Sequence, residues 1–164
     1  MDGDFAARAQ VLEDRVAISD LIIRYAEAVD NHDDGTLASC FTDDAGATFA
    51  GVAVPGRGGA AIVAFLASLR GGAAGTATPM KTSHLFTNVV INLDGDRAEA
   101  RSRAAVYSVR GTPEQVRVRG ISYQDRMRRT PDGWRIANRV HSVAWEGAME
   151  SVPITPIAPQ SEEH

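Results

Sequence analysis

Four strand-like segments follow one another in the second half of the chain, separated by short turn signals. The segments "TSHLFTNVVINL", "RAEARSRAAVYSV", "VRVRGISYQDRMRR" and "WRIANRVHSVAW" are joined by "DGD", "GTPEQ" and "TPDG". Gly, Pro and Asp in such positions are typical of tight turns between strands. Connections this short join antiparallel neighbours, since parallel strands need a crossover of a dozen or more residues. The second half is therefore predicted to be an antiparallel meander.

The first half of the chain is predicted to be mostly helical. Residues 8–30 form an amphipathic helix because apolar side chains recur at helical spacing between charged ones, at Leu12, Val16, Leu21, Ile22, Tyr25 and Val29. The stretch "NHDDG" ends this helix and provides Asp33 or Asp34 as the N-cap of a short helix, "TLASCF". A short strand, "AGATFAG", and a third helix, "GGAAIVAFLASLR", follow. Helices first and a meander second predict an α+β fold, with the helices covering one face of a curved sheet.

The 164-residue chain is predicted to be one domain over residues 1–146, followed by an extended or disordered arm over residues 147–164. The arm ends in "SVPITPIAPQSEEH", which has three prolines and no hydrophobic period. Residues 71–80, "GGAAGTATPM", offer little that could pack and are predicted to be a mobile loop. Both segments are candidates for closing the mouth of a pocket.

The composition of the chain indicates which classes of partner and which cellular compartment to expect. No apolar run approaches the ~18 residues that a membrane span needs, so no membrane association is predicted. The net charge of −4 gives no footprint for nucleic acid. The N-terminus resembles no export signal, which predicts a cytoplasmic protein. Cys40 is the only cysteine, so an intrachain disulfide and a cysteine-based zinc cluster are excluded.

The order of these elements, together with three stretches of sequence, resembles a known family. The stretches "RVAISDLIIRYAEAVDNHDDGTLASCFTDDA", "SHLFTN" and "RTPDGWRIANR" are similar to the SnoaL-like families of the nuclear transport factor 2-like superfamily, over about residues 10–146. The resemblance implies a cone-shaped α+β roll that self-associates through its outer sheet face as a homodimer or homotrimer. It leaves the chemistry open, because the superfamily holds dehydratases, dehydrohalogenases, isomerases, cyclases, epoxide hydrolases and non-catalytic subunits.

Within the superfamily, the chain is most similar to the group of scytalone dehydratase, bile acid 7α-dehydratase and hexachlorocyclohexane dehydrochlorinase. In that group a histidine on the first long strand is the base and an acid near the end of the first long helix holds it. The matching positions here are His84 and Asp30. Tyr25 matches a tyrosine of the bile acid dehydratase, whose second acid falls opposite Tyr107 here. Arg139 is the nearest candidate for a basic residue on the dehydrochlorinase's last strand.

These residue types suit the removal of a proton from carbon. Such a reaction needs a base that works near neutral pH, and histidine has an unperturbed pKa of ~6.5. A carboxylate on the far ring nitrogen fixes the tautomer and stabilises the imidazolium. Tyr25 or Arg139 could donate a hydrogen bond to the substrate oxygen that becomes negative. Tyr25 and Asp30 lie about 140° apart on an unbroken helix, so both can border one cavity only if its last turn loosens.

Most of these candidates also have a structural interpretation. Asp30 could cap the following element, and His84 could be a hydrogen-bonded interior histidine. His141 could line the same cavity, Tyr107 could line it or simply pack, and Asn88 could bind substrate or pair with backbone, since it shares the face of His84 on a flat strand. His84, His141 and Asp30 could form a two-histidine, one-carboxylate metal set, but nothing in their spacing demands it. Neither a metal nor a cofactor is predicted.

The sequence thus predicts a cofactor-independent lyase of the dehydratase or dehydrohalogenase type, acting on a hydrophobic cyclic, polyketide-like or steroid-like small molecule. The small side chains of "AEARSRAAV" favour a cavity inside the cone. An isomerase or cyclase could use the same base. The alternative from another class is a non-catalytic ligand-binding protein, or a subunit like the small partner of ring-hydroxylating dioxygenases. An open cavity with His84 and Asp30 within hydrogen-bond reach favours an enzyme.

Overall fold

The computed structural model describes residues 2–70, 81–110 and 115–150. Within these ranges the helices and strands follow one another along the chain as α1 (Asp2–Asp30), α2 (Asp34–Ser39), β1 (Phe41–Phe49), β2 (Val52–Ala53), α3 (Gly58–Arg70), β3 (Lys81–Asp94), β4 (Arg97–Arg110), β5 (Gln115–Thr130) and β6 (Gly133–Glu150). The predictions for the loop at 71–80 and for the arm beyond residue 150 fall outside the described residues.

The strands form one sheet in the order β2-β1-β6-β5-β4-β3. Strands β3 to β6 are consecutive antiparallel neighbours, which confirms the predicted meander. Strand β1 lies parallel to β6 and antiparallel to β2, so the sheet is mixed at this end. Side chains of the helices and of one sheet face share a single buried cluster, which includes Ile22, Leu37, Ile62 and Ile121. The α+β prediction is thereby confirmed.

Several boundaries differ from those predicted. Helix α1 begins at Asp2 instead of residue 8, and its outer half presents Leu12 and Val16 to solvent, since the buried stripe begins only at Asp14. Strand β1 begins at Phe41, which was assigned to the short helix. Strand β6 runs to Glu150, past the predicted domain boundary at residue 146. No helix in the described part of the chain has the length and apolar character needed to cross a membrane.

Strand β3 contains a bulge that reverses which side chains point inward. The pairing of β3 with β4 shifts register between Thr87 and Val90, and Asn88 adopts a positive φ of 51°. Side chains alternate across a strand, so one extra residue moves the following side chains to the opposite face. His84 before the bulge and Ile91 after it therefore both point towards the helices.

Asp14 fastens helix α1 to the strands at one end of the sheet. Its buried carboxylate accepts hydrogen bonds from Trp134 Nε1 at 3.1 Å, from Arg129 Nη2 at 2.5 Å and from Gln10 Nε2 at 3.2 Å. Burial alone would raise the pKa of Asp14, but the hydrogen bonds from Arg129, Trp134 and Gln10 outweigh it and the pKa lies below its ordinary value. The carboxylate is therefore charged in the folded protein at neutral pH.

The Asp14→Ala variant is expected to lower the free energy of unfolding by about 2–3 kcal/mol, because the buried indole N–H of Trp134 loses its acceptor. Chemical denaturation at pH 7 measures the loss. Because the pKa of Asp14 is depressed, its contribution is present above the ordinary carboxyl pKa and disappears as the pH falls. The variant and the wild type should accordingly converge in acid.

Asp96→Ala is the matched control for this prediction. Asp96 binds the same arginine, at 2.8 Å from Arg129 Nε, but its side chain is 80% exposed. An exposed ion pair contributes about 1 kcal/mol or less. An equal loss of stability in the Asp14 and Asp96 variants would contradict the assigned role of the buried carboxylate.

Candidate functional site

A cavity of about 310 Å³ lies between the helices and the inner face of the sheet. This volume is at the lower end of the range typical of small-molecule pockets. Most of its wall is apolar or aromatic, with contributions from Val29, Leu37, Phe49, Phe65, Leu66 and Ile121. The polar side chains in the wall are those of Tyr25, His32, Thr82, His84, Arg119, Tyr123 and His141. The interior is thus a hollow with a few polar groups on an apolar surface.

The structure brings His84 and Asp30 into contact at the edge of this cavity. His84 Nδ1 lies 2.6 Å from Asp30 Oδ1, and the backbone N–H of His84 donates to Asp30 Oδ2 at 2.7 Å. The two side chains are 9% and 20% exposed, respectively. One carboxylate therefore holds both the backbone and the ring of the same residue.

Hydrogen bonding determines the ionisation state of Asp30 and the tautomer of His84. Burial alone would raise the pKa of Asp30, but the hydrogen bonds from His84 outweigh it and the pKa lies below its ordinary value. An ionised carboxylate only accepts hydrogen bonds, so Nδ1 of His84 carries the proton that it shares with Asp30. In the neutral ring, Nε2 is then the unprotonated nitrogen, and the ring lines the cavity. The arrangement suits a general base.

The end of helix α1 places Asp30 behind the imidazole. The helix ends at Asp30, and His32 in the following turn has a positive φ of 57°, which turns the chain away. Tyr25 lines the cavity, whereas Asp30 contacts β3 from outside the wall. The last turn of α1 stays helical, so the angle of about 140° directs the two side chains to different surfaces.

Tyr25 lies at the centre of a cluster of rings below the cavity. Its ring meets Phe41 and Tyr123 edge-on at centroid distances of 6.0 and 6.2 Å. The guanidinium carbon of Arg139 lies 3.8 Å from the centroid of the Tyr25 ring. Burial raises the pKa of Tyr25 despite the nearby positive charge of Arg139. The phenol is therefore a neutral donor at physiological pH.

Arg139 lies beneath the cavity, outside its wall, contrary to the prediction that it binds substrate. Its side chain is 0% exposed, and its Nε and Nη2 donate to the two carboxylate oxygens of Asp125, both at 2.7 Å. Asp125 is its direct partner across the β5–β6 ladder. The buried acid on the neighbouring strand, not a ligand, thus supplies the counter-charge of Arg139.

Tyr107 and Asn88, both predicted to bind substrate, do not line the cavity. The side chains of β4 that face the helices are at even positions, with Val106 in the cavity wall, so Tyr107 lies on the outer face. Asn88 is exposed within the β3 bulge, where the flat-strand alternation that would place it beside His84 is broken. The alternation of side chains along β4 thus excludes Tyr107 from the cavity wall, and the bulge in β3 excludes Asn88.

His141 lines the cavity as an uncharged imidazole. Its Nδ1 accepts a hydrogen bond from the backbone N–H of Ala50 at 3.3 Å, and its ring packs against Phe49 and Tyr123. Burial lowers the pKa of His141 to about 4, and the positive charge of Arg119 acts in the same direction. His141 therefore offers the cavity a polar group without charge at neutral pH.

Tyr123 and Arg119 are among the wall residues that were not predicted from the sequence. Tyr123 is buried and stacks on Phe86 at 5.0 Å between ring centroids. Arg119 contributes a guanidinium whose Nε is buried and has no hydrogen-bond partner among the described residues. The alternation of side chains along β5 could have identified both residues, because Arg119 shares the inner face with Ile121 and Tyr123.

The described residues around the cavity do not form a set of metal ligands. Within residues 2–70, 81–110 and 115–150, no three His, Cys, Asp or Glu side chains converge as a metal ion would require. His84 and His141 both line the cavity, but Asp30 is engaged with His84 from behind.

The chain resembles a known protein family over most of its length. Residues 10–140 match the family model of the SnoaL-like domain. An uncharacterized protein of Mycobacterium tuberculosis strain H37Rv is 30% identical over 142 residues, which cover 84% of this chain and 90% of that protein.

Two solved structures, both from the genus Novosphingobium, are also similar. A hexachlorocyclohexane dehydrochlorinase from N. barchaimii superposes with a TM-score of 0.72 at 19% identity, covering 92% of this chain and 99% of that chain; this likeness shows the fold. A protein of N. aromaticivorans, provisionally assigned as an aromatic ring hydroxylase, has a TM-score of 0.70 at 26% identity, covering 85% and 94%. Because the family model spans most of the sequence, this chain belongs to the SnoaL-like family of the nuclear transport factor 2-like superfamily.

Proposed function

We propose that the protein is a cofactor-independent lyase of the dehydratase or dehydrohalogenase type, acting on a hydrophobic cyclic small molecule. The observation that carries the proposal is the 2.6 Å contact between His84 Nδ1 and Asp30 at the edge of an apolar cavity. The fold shared with a hexachlorocyclohexane dehydrochlorinase supports it. A cavity of about 310 Å³ favours a compact ring system within the polyketide-like or steroid-like range.

In the proposed reaction, Nε2 of His84 removes a proton from a carbon atom of the substrate. The electron pair of the C–H bond forms the new carbon–carbon double bond, and the leaving group departs from the adjacent carbon with its own bonding pair. A halide leaves as the anion and His84 then releases its proton to solvent, whereas a hydroxyl group takes that proton from the imidazolium of His84 and leaves as water. Asp30 stabilises the imidazolium formed at His84.

Tyr25 and His141 would polarise and orient the substrate in this mechanism. The neutral phenol of Tyr25 can donate a hydrogen bond to an oxygen on which negative charge develops. His141 stays uncharged at neutral pH, so it can hydrogen-bond the substrate without competing as a base. The aromatic and aliphatic wall excludes water, which strengthens each of these interactions.

A panel of cyclic β-hydroxy ketones and halogenated cycloalkanes, incubated with the protein in D₂O, tests the proposal. Elimination yields an unsaturated product with loss of water or halide, which mass spectrometry detects. An isomerase or cyclase using the same base would instead keep the leaving group and incorporate deuterium, which NMR detects. A protein that neither eliminates nor exchanges protons on any member of the panel would contradict a catalytic role and favour a non-catalytic ligand-binding function.

The Asp30→Asn variant is expected to lower kcat on an accepted substrate by about 10²–10⁴. The amide can donate to Nδ1, which moves the ring proton to Nε2 and removes the basic nitrogen from the cavity. Asp33→Asn is a matched control three residues away, because Asn caps helices as well as Asp does and Asp33 only caps α2. Wild-type turnover in the Asp30 variant, or an equal loss in the control, would refute the assigned role.

A further inference from the structure

We propose that the natural substrate carries an anionic group, of the carboxylate class, that Arg119 binds at the opposite side of the cavity from His84. This inference deepens the proposed function and rests on it only in taking the same cavity as the substrate site. It names Arg119 as a specificity-determining residue. The bound molecule would combine an apolar ring with one acidic group.

The position of Arg119 follows from the register of three strands. His84 on β3 pairs with Val106 on β4, and Val106 pairs with Arg119 on β5. These residues therefore form one row across the inner face of the sheet. Neighbouring strands are ~4.8 Å apart, so the Cα atoms of His84 and Arg119 are separated by about 10 Å. A substrate with a ring between its carboxylate and its reacting carbon is long enough to contact both Arg119 and His84.

The charge balance of the cavity points to an anionic ligand. Within the described part of the chain, the wall contains the guanidinium of Arg119 but no aspartate or glutamate. Two buried or partly buried acids are already engaged, Asp30 by His84 and Asp125 by Arg139. Glu146, which lies opposite Arg119 on β6, is 46% exposed and pairs with Arg117 Nε at 3.6 Å. Among the described residues, the wall of the cavity thus holds this cation without a matching anion.

One atom of Arg119 supports the same conclusion, because its buried Nε has no hydrogen-bond partner within residues 2–70, 81–110 and 115–150. Buried polar atoms nearly always have a hydrogen-bond partner, and leaving one without a partner costs free energy. Guanidinium groups bind carboxylates through pairs of parallel N–H donors, which are among the strongest hydrogen bonds in proteins. A carboxylate of the substrate would supply the missing acceptor, and it would orient the ring for attack by His84.

Cinnamate and cinnamamide are a suitable pair of probes, because they have nearly the same shape and differ in charge. Isothermal titration calorimetry with the full chain at low ionic strength should show that cinnamate binds about tenfold more tightly than the amide, which is about 1.4 kcal/mol. Arg119→Gln should abolish this preference by weakening cinnamate while leaving cinnamamide unchanged. Arg119→Lys, which keeps the charge, should retain part of it.

Arg117→Gln is the matched control, because Arg117 lies two residues away on the same strand, is 62% exposed and is absent from the cavity wall. It should keep the wild-type preference for cinnamate. Thermal unfolding of each variant verifies that the fold is intact. Equal affinities for the two probes, no detectable binding of cinnamate, or an equal loss in the Arg117 variant would overturn the inference.

The binding experiment separates this inference from the proposed elimination. A preference for cinnamate over cinnamamide without any turnover would support the anion site and refute the proposed lyase activity. Turnover that depends on His84, with no charge preference at Arg119, would refute only the anionic class of substrate.

Discussion

Replacing His84 with alanine is expected to lower kcat on an accepted substrate by about 10²–10⁴, the usual contribution of a positioned general base. The variant loses the ring nitrogen that removes the proton, and with it the imidazole that Asp30 holds. The backbone N–H of residue 84 still donates to Asp30, so the connection between α1 and β3 remains. Steady-state kinetics and thermal unfolding together separate lost chemistry from lost folding.

His141→Gln provides the comparison for the His84 variant. Both imidazoles line the cavity, but Nδ1 of His141 binds the backbone N–H of Ala50 and its pKa is about 4. A neutral imidazole with so low a pKa is a weak base. We therefore expect His141→Gln to lower kcat less than His84→Ala does, and to affect KM more. If the His141 variant loses more kcat than His84→Ala, the assignment of His84 as the base is wrong.

The Asp125→Ala variant is expected to lose about 3–5 kcal/mol of folding free energy, because it leaves the guanidinium of Arg139 buried without a counter-charge. The side chains of this pair are 1% and 0% exposed, and both hydrogen bonds measure 2.7 Å. Arg139 also stacks on the rings of Tyr25 and Tyr123, so a displaced guanidinium disturbs the aromatic floor of the cavity. Urea denaturation at pH 7 measures the loss.

Asp44→Ala is the control for this prediction. Asp44 Oδ1 binds Arg128 Nη2 at the same 2.7 Å, but the two side chains are 69% and 46% exposed. We expect this variant to lose less than about 1 kcal/mol. Replacing Asp125 and Arg139 together by leucine should recover much of the loss, since no buried charge then remains. Comparable losses for Asp44 and Asp125 would show that burial does not decide the effect.

Local signals in the sequence were sufficient for the architecture. Short segments rich in turn residues between consecutive strands predict antiparallel pairing, and β3, β4, β5 and β6 are paired in this way. The end of α1 at Asp30 and the N-cap at Asp33 follow from the same local chemistry. The parallel pairing of β1 with β6 was not predicted, because it depends on contacts between residues far apart in the chain.

The errors at the site arise from side-chain direction and pairing across strands. Asn88 was placed beside His84 by assuming a flat strand, and the bulge invalidates that assumption. Arg139 was treated as a substrate ligand because its partner, Asp125, becomes its neighbour only when β5 and β6 align. Arg119 was overlooked because a charged residue in a strand ordinarily faces water. Each of these depends on strand register, which residue types alone leave undetermined.

The two-point attachment of His84 to Asp30 has a consequence for stereochemistry. A ring held by its backbone and by its Nδ1 cannot swing to follow a substrate that enters in another orientation. Its free lone pair therefore addresses one side of a bound ring only, and of two mirror-related hydrogens on a carbon atom it reaches one. A racemic substrate should accordingly be consumed to about half, with the unreacted remainder of a single handedness.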